Sequence, residues 1–459
     1  MTAPRHIAVI DIGKTNAKLA LVDLSTLTEM AVVTRPNIVQ PAPPYPHYDV
    51  DGHWAFLLDA LAQFHREHRV DAISVTTHGA CAALLESTGA LAAPILDYEH
   101  VYPAEMVEAY DAIKPDFAQT GSPKLAGGLN IGAQLHWLLA TDPTLKDRTA
   151  QIVTYPQYWG HRLTGVAATD VTSIGCHTDL WNPYEGAFSD LPEKLGIRDK
   201  IAPVRRPSDI LGPILPEIAK ATGLAPETPV CVGIHDSNAS LYPHVMAQDG
   251  PVSVVSTGTW VIVMSMKTGG VATLDPARDT LVNVNAYEQA VASARFMGGR
   301  EFEVIQQGQR VEPTKPDVSA VLNGPRMLLP SVETGSGPFQ GRQMQWHGGE
   351  PEIGTGQRSA ALSFYLALMT GTCLNLVGGA GPTIVEGPFA RNPEYLAMLH
   401  VVTARPVFTN SAVTGTSIGA AMLFGGDEFP PELDQFEAAL PLDALRTYAD
   451  LWTGQAGAE

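Results

Sequence analysis

Three short polar stretches, each set directly after an apolar run, carry the residue types that could do chemistry in this chain. The first is Asp11-Ile-Gly-Lys-Thr-Asn-Ala-Lys18. Its backbone N–H groups, with the side chains of Thr15 and Asn16, could wrap phosphate oxygens. Lys14 and Lys18, on either side of Ala17, would add positive charge, and Asp11 could hold Mg²⁺ directly or through water. The second is Thr257-Gly258-Thr259, where glycine permits close backbone approach and the hydroxyls donate to oxyanions. The third is His235-Asp236-Ser237. Asp236 could take the proton of a substrate hydroxyl during phosphoryl transfer, and His235 could bind substrate or tune that base. Each stretch also has a plainer reading: a hairpin turn with a capping Asp, a solvent-facing turn, and a helix N-cap. Two phosphate-type turns in one chain are harder to dismiss than either alone.

Several sharper motifs fail on spacing. Gly13-Lys14-Thr15 suggests a P-loop, but that pattern needs a glycine where Ala8 stands, and a helix where a second apolar run follows. His47, Asp49, Asp51 and His53 match no zinc spacing, and Asp51-Gly52 marks a turn. No GxSxG elbow and no HExxH occurs. Cys81, in Ala80-Cys-Ala-Ala, reads as a small core residue.

The elements that must position these stretches follow from the apolar pattern. His6–Asp11 and Ala17–Asp23 around a short turn make a β-hairpin, and Pro251–Ser256 with Trp260–Ser265 repeat the design about 250 residues later. Trp54, Leu57, Leu58, Leu61 and Phe64 mark one helix face. Asp71–Thr77 is a strand ending at His78-Gly79, and Thr228–Ile234 is another ending at His235-Asp236. Residues 358–377 form a long helix, 382–386 a strand, and further helices begin near Glu394 and Thr414. The tail after Thr453 is expected to fray. Strands alternating with helices indicate α/β architecture, in which polar residues just past strand C-termini are the usual place for chemistry. The boundary between halves falls between Tyr242 and Pro251, giving domains of residues 1–245 and 246–459.

Composition bounds the function. A chain of 459 residues exceeds the usual size of a single core, and 45% hydrophobic against 17% charged residues leaves material for large ones. A net charge of −19 without a Lys/Arg run argues against a nucleic-acid partner. Four separated cysteines without a CxxC pair fit a reducing compartment, and the N-terminus shows no signal-peptide pattern. The uncharged run Ser359–Val385 is broken by Ser363, Thr370, Thr372, Asn375 and Gly378-Gly379. It reads as a buried helix and loop, not a membrane span. The expectation is a soluble, cytoplasmic protein of more than one domain, with no membrane partner.

Taken in order, Asp11–Lys18, Thr77-His-Gly79, Tyr155-Pro-Gln-Tyr-Trp-Gly-His-Arg-Leu-Thr-Gly165, Gly233-Ile-His-Asp-Ser237, Ser256-Thr-Gly-Thr-Trp260 and the Gly387 segment resemble the FGGY carbohydrate kinases over nearly the whole chain. Within that family the sequence looks closest to the L-rhamnulokinase and L-fuculokinase branch. The resemblance implies two actin-like (ribonuclease H-like) domains, mixed sheets flanked by helices, around a central cleft. It also implies MgATP bound largely by the second domain and a sugar bound by the first. By carry-over Asp236 is the catalytic base, Lys14–Lys18 the first phosphate loop and Thr259 part of the second. Gly79, His235 and Ser237 fall where sugar contacts occur, and Gly387 falls in the adenosine region. A homodimer is a family-level expectation.

The departures concern the sugar pocket and adenine floor. The family's Gly-Gly-Gly reads Glu386-Gly387-Pro388 here. Arg295 stands about where the branch places a sugar-binding Asn, and Glu303 about where it places an ATP-contacting Gln. His78-Gly79 replaces a frequent Trp-Gly, and Asp97-Tyr98-Glu99-His100 replaces a frequent Asp-x-Arg. The expectation is an ATP-dependent kinase for a terminal hydroxyl of a ketose such as L-rhamnulose, L-fuculose or a related pentulose. The alternatives are a kinase of an aldose or polyol, a non-catalytic sugar- or nucleotide-binding regulator, and an actin-like filament protein.

Overall fold

The computed structural model describes residues 4–125, 127–247, 249–271, 273–410, 415–425 and 433–457. The chain divides into two compact units. Unit 1 comprises Met1–Ala247, Val282–Ala290 and Thr414–Pro431; unit 2 comprises Gln248–Leu281, Val291–Val413 and Glu432–Glu459.

Unit 1 is built on a seven-stranded mixed sheet. Its strands are β1 (His6–Ile12), β2 (Asn16–Asp23), β3 (Thr28–Pro36), β4 (Ala72–Thr77), β5 (Ile210–Pro213), β6 (Pro229–Cys231) and β7 (Ile234–His235). The order is β5-β6-β4-β1-β2-β3, with β7 also pairing β4. β1 runs antiparallel to β2 and parallel to β4. Because successive side chains alternate faces, Ala8, Ile10 and Ile12 pack with α1 (Val50–His68), while Ile7 and Val9 pack with Ala239, Tyr242, Ile418 and Ala420 on the other face. Helices thus cover both faces, and α1 buries Val50, Leu57, Ala60, Leu61 and Phe64 at helical spacing.

Unit 2 repeats the pattern. Its sheet contains β8 (Val252–Thr257), β9 (Val261–Met266), β10 (Thr280–Val284), β11 (Ala290–Phe296), β12 (Thr383–Glu386), β13 (Val407–Asn410) and β14 (Leu433–Gln435), in the order β10-β11-β9-β8-β12-β13-β14. Here β8 is antiparallel to β9 and parallel to β12, as β1 is to β2 and β4. The helix Gly356–Leu376 packs on this sheet with Tyr395, Leu396 and Trp452. It is long and apolar enough to cross a membrane, yet 89% of its apolar window is buried inside the structure.

Two local expectations are corrected, and a third, the helix near Thr414, is found with a slightly later start. The strand expected over 228–234 is broken into β6 and β7, because Gly233 takes a positive φ of 92° and Gln157 Nε2 donates to the carbonyls of Val232 and Gly233. The tail expected to fray after Thr453 is helical over Leu442–Ala456, anchored by buried Trp452, whose Nε1 donates to Leu328 O at 2.8 Å. The helix expected from Thr414 is observed over Thr416–Ala421, and Thr414 itself lies outside the described residues.

Candidate active site

In unit 1 the strand register brings three strand ends level. Asp11 pairs with Thr76, and Ile12 with Thr77, across β1 and β4; Ile234 and His235 pair with the same Thr76 and Thr77 from the other side. Asp11, His78 and Asp236 therefore emerge from adjacent parallel strand ends, where α/β sheets place their chemistry.

Asp236 opens the helix Asp236–Ala247. Its Oδ1 accepts from His235 Nε2 at 3.1 Å, from the Ser237 N–H at 2.6 Å and from Ser237 Oγ at 3.3 Å. Burial alone would raise this carboxyl. The hydrogen bond and charge of His235 outweigh it, with help from His78 and the Ser237 N–H, and hold Asp236 below the ordinary carboxylate range. The N-cap expected from sequence is in this sense replaced by a first-position carboxylate clamped by its own neighbours.

His235 is in turn fixed from three directions. Its backbone N–H donates to Thr172 Oγ1 at 3.0 Å, and Thr172 donates to buried Asp170. A Cβ on Gly79 would meet the His235 ring at 2.7 Å, so only glycine lets the β4 end lie against it. Burial disfavours the imidazolium, but Cys176 and Asp236 beside it raise its proton affinity well above that of free histidine.

His78 is buried and is held neutral, its pKa lowered to about 4 by burial. Three phenol rings surround it, with centroids at 4.9 Å (Tyr155), 5.1 Å (Tyr98) and 5.4 Å (Tyr48). Among the described residues neither of its ring nitrogens has a hydrogen-bond partner, a state in which buried polar groups are seldom left without a ligand or a water.

The β1–β2 turn is held by side chains. Asn37 Nδ2 donates to Gly13 O at 2.8 Å and its N–H to Thr15 O at 2.9 Å. Asn37 Oδ1 bonds His53 Nε2 at 2.8 Å, His53 Nδ1 accepts from Arg35 at 2.7 Å, and Arg35 pairs with Asp49 at 2.5 Å. This network accounts for the side chains of Asp49 and His53; Asp49 also caps α1 through Gly52. Thr15 and Asn16 are exposed at the turn, Asn16 donating to Thr15 Oγ1 at 3.2 Å, while Ala17 is buried in the sheet. Lys18 pairs with Asp11 at 3.1 Å and Glu29 at 3.4 Å, but Lys14 reaches away to Asp97 and Glu99.

A nucleotide-borne magnesium ion fits Asp11 as a protein ligand. Burial raises the Asp11 carboxyl, Lys18 opposes that, and the charge of Asp236 adds to it, so a cation there would relieve both carboxylates. Among the described residues no group of three or more His, Cys, Asp or Glu side chains gathers around a metal position.

In unit 2 the β8–β9 turn is held by backbone and glycine. Thr257 Oγ1 donates to Glu386 O and accepts the Phe389 N–H at 3.1 Å. Gly387 has φ 81°, and a Cβ there would fall 1.9 Å from Thr257 O. Gly299, at the start of the helix Gly298–Gln306, is as tightly placed, 2.0 Å from Gly258 O by the same measure. Gly258 and Thr259 line a cavity of about 470 Å³ with Phe302, Glu303, Arg310 and Phe389. Arg295 does not join that lining. It pairs with Asp279 at 2.9 Å and stacks 4.7 Å from the Trp260 ring centroid.

Sequence reasoning quoted Tyr98 and Tyr155 within longer segments but did not bring them together with Tyr48 around His78, and it missed the Asp170–Thr172 support and the Asn37–His53–Arg35–Asp49 network. Asp170-Val-Thr172 carries a helix-start pattern that could have been found. The tyrosines come from three distant segments and carry no local signal.

Residues 6–242 match the FGGY family of carbohydrate kinases, N-terminal domain, and residues 249–432 match the carbohydrate kinase FGGY, C-terminal domain. The chain belongs to the FGGY family of carbohydrate kinases. It is 26% identical over 266 residues to the L-fuculokinase of Salmonella typhi, covering 56% of each chain. It is 25% identical over 268 residues to a probable L-xylulose kinase of Haemophilus influenzae, covering 55% of this chain and 54% of that one. The matched region thus spans about half the length of these curated relatives. Among solved structures, a carbohydrate kinase from Novosphingobium aromaticivorans shares 38% identity with a TM-score of 0.91, covering 98% of this chain and 100% of that one. A xylulose kinase from Rhodospirillum rubrum shares the fold at TM-score 0.80 and 20% identity, with 99% and 98% covered. The fold is accordingly that of two actin-like domains with mixed sheets flanked by helices.

Proposed function

We propose that the protein is an ATP-dependent sugar kinase acting on a terminal hydroxyl of a ketose of the L-fuculose, L-rhamnulose or L-xylulose type. The observation that carries this reading is the meeting of Asp236, an ionised carboxylate clamped by His235, with the unpartnered nitrogens of His78 at adjacent strand ends. A base and a hydrogen-bonding group without a partner are what an acceptor hydroxyl needs.

In this reading Asp236 takes the proton of the attacking hydroxyl. The hydroxyl oxygen bonds to the γ-phosphorus as the bond to the β–γ bridging oxygen breaks, and ADP leaves with the electron pair. His78, Gly79, His235 and Ser237 line the acceptor side. Thr15, Asn16 and the backbone of Lys14–Lys18 form one phosphate turn, Thr257–Thr259 the other. The cavity beside Gly258 and Thr259, next to Gly387, takes the nucleoside. Mg²⁺ would neutralise charge on the phosphates, with Asp11 holding it directly or through water. The protein's contribution is positioning and electrostatics.

The test is an ADP-release assay with MgATP against L-fuculose, L-rhamnulose, L- and D-xylulose, L- and D-ribulose, their parent aldoses, glycerol and erythritol. One ketose standing at least about tenfold above the rest in kcat/KM is the expected result. Preference for an aldose or polyol would overturn the ketose assignment, and silence across the panel would overturn the kinase assignment.

A further inference from the structure

Lys14 sits in the phosphate turn by sequence, yet its charge is committed elsewhere. Its Nζ lies 2.5 Å from Asp97 Oδ1 and 3.0 Å from Glu99 Oε2, and 4.6 Å from the centroid of the Tyr98 ring. Asp97 is buried, and the same Oδ1 also accepts from Tyr48 Oη at 3.0 Å and from the Glu99 N–H at 3.3 Å. Tyr48 and Tyr98 are two of the three rings that enclose His78. The lysine therefore ties the 97–100 loop to the wall of the pocket that holds the unpartnered imidazole. Lys18, four residues on, points its charge to Asp11 instead.

From this placement we infer that Lys14 is a positioning residue for the acceptor pocket and not a phosphate ligand, and that its loop selects an uncharged sugar over a sugar acid. The inference rests on the sugar-kinase reading above. The mechanical part follows from geometry: without Lys14, two carboxylates would face each other across the turn, and the loop carrying Tyr98 would lose its tie to β1–β2. The selectivity follows from charge. One cation against two carboxylates, buried Asp97 and exposed Glu99, leaves this loop net negative, and a net negative loop beside the acceptor disfavours a carboxylate-bearing ligand.

The experiment compares wild type with Lys14→Met, which keeps the chain length over Tyr98 and removes the charge, with Lys14→Arg, and with Glu99→Gln. Steady-state kinetics use ATP and the best ketose of the panel; D-gluconate and D-glucuronate serve as anionic inhibitors. Lys14→Met should raise KM for the ketose about tenfold while KM for ATP stays within about twofold, and Lys14→Arg should recover most of the loss. Glu99→Gln should tighten inhibition by D-gluconate about fivefold. A Lys14→Met variant that raises KM for ATP, or lowers kcat with an unchanged ketose KM, overturns the positioning role. Equal D-gluconate inhibition of wild type and Glu99→Gln overturns the charge selection. Calorimetric titration of each variant with L-fuculose and with ATP reads the same split without turnover. A protein that binds sugar but transfers no phosphate would thus refute the kinase reading while still deciding on Lys14, and one that binds no sugar of the panel refutes both.

Discussion

The β1–β2 turn is held by side chains reaching in from outside it, whereas the β8–β9 turn is held by glycines pressed against its backbone. Around the first, Asn37, His53, Arg35 and Asp49 form a chain of hydrogen bonds, and a Cβ on Gly13 would make only an ordinary contact, 3.6 Å from Asn16 O. Around the second, Gly387 and Gly299 leave no room for any side chain. The central strands of the two sheets, β3-β2-β1-β4-β6 and β11-β9-β8-β12-β13, correspond in order and direction, so the difference belongs to the turns and not to the scaffold. A side-chain network can loosen by degrees; a backbone contact at van der Waals limit cannot.

That contrast predicts unequal costs. Gly387→Ala should be the most damaging change, since the new Cβ would overlap Thr257 O and strain a positive φ. A loss of about 3 kcal/mol or more of stability is expected, with ATP binding lost, as read by urea unfolding and calorimetry. Glu301, in the helix that begins at Gly298, supplies a pH-dependent counterpart. Burial pushes its carboxyl from 4.5 up to about 7, while Tyr365 Oη at 3.0 Å and the Glu333 N–H at 3.1 Å pull the other way. Because the folded state then holds the proton more tightly than the unfolded one, its contribution is present below about pH 4.5 and is lost as pH rises to about 7. The span is on the order of 3 kcal/mol, and Glu301→Gln should flatten it in unfolding midpoints measured at pH 5 and pH 8.

Gly79→Ala tests the glycine argument inside unit 1. The added methyl would press on the His235 ring and displace the clamp on Asp236, so kcat should fall about a hundredfold with ATP affinity unchanged. His53→Ala should cost about 2 kcal/mol: partly exposed Arg35 can turn to water, while buried Asn37 keeps its bond to Gly13 O and loses only the partner of its Oδ1. Gly13→Ala should be smallest, within about 0.5 kcal/mol in thermal unfolding. If Gly13→Ala proved as costly as Gly387→Ala, the distinction between the turns would fail.

Both hairpins were legible in the sequence because each pairs two apolar runs around a short polar turn, and so was the end of β4 at His78-Gly79. Asp236 was legible as a polar residue just past a strand. What was not legible depends on distance along the chain. Tyr48, Tyr98 and Tyr155 meet at His78 only after folding, and Lys14, read locally as a phosphate-turn cation, turns out to bond a loop more than eighty residues away. The break between β6 and β7 was hidden for a related reason: Gln157, far upstream, takes the carbonyls that a continuous strand would have used.

The proposed role of Asp236 is that of the base for phosphoryl transfer to a sugar hydroxyl. The most direct test is single-turnover transfer from γ-labelled ATP to the preferred ketose by wild type and Asp236→Asn, with ATP affinity measured on the same preparations. Asp236→Asn should reduce transfer at least about a thousandfold while the ATP dissociation constant changes less than about threefold. Transfer within about tenfold of wild type by Asp236→Asn would contradict it.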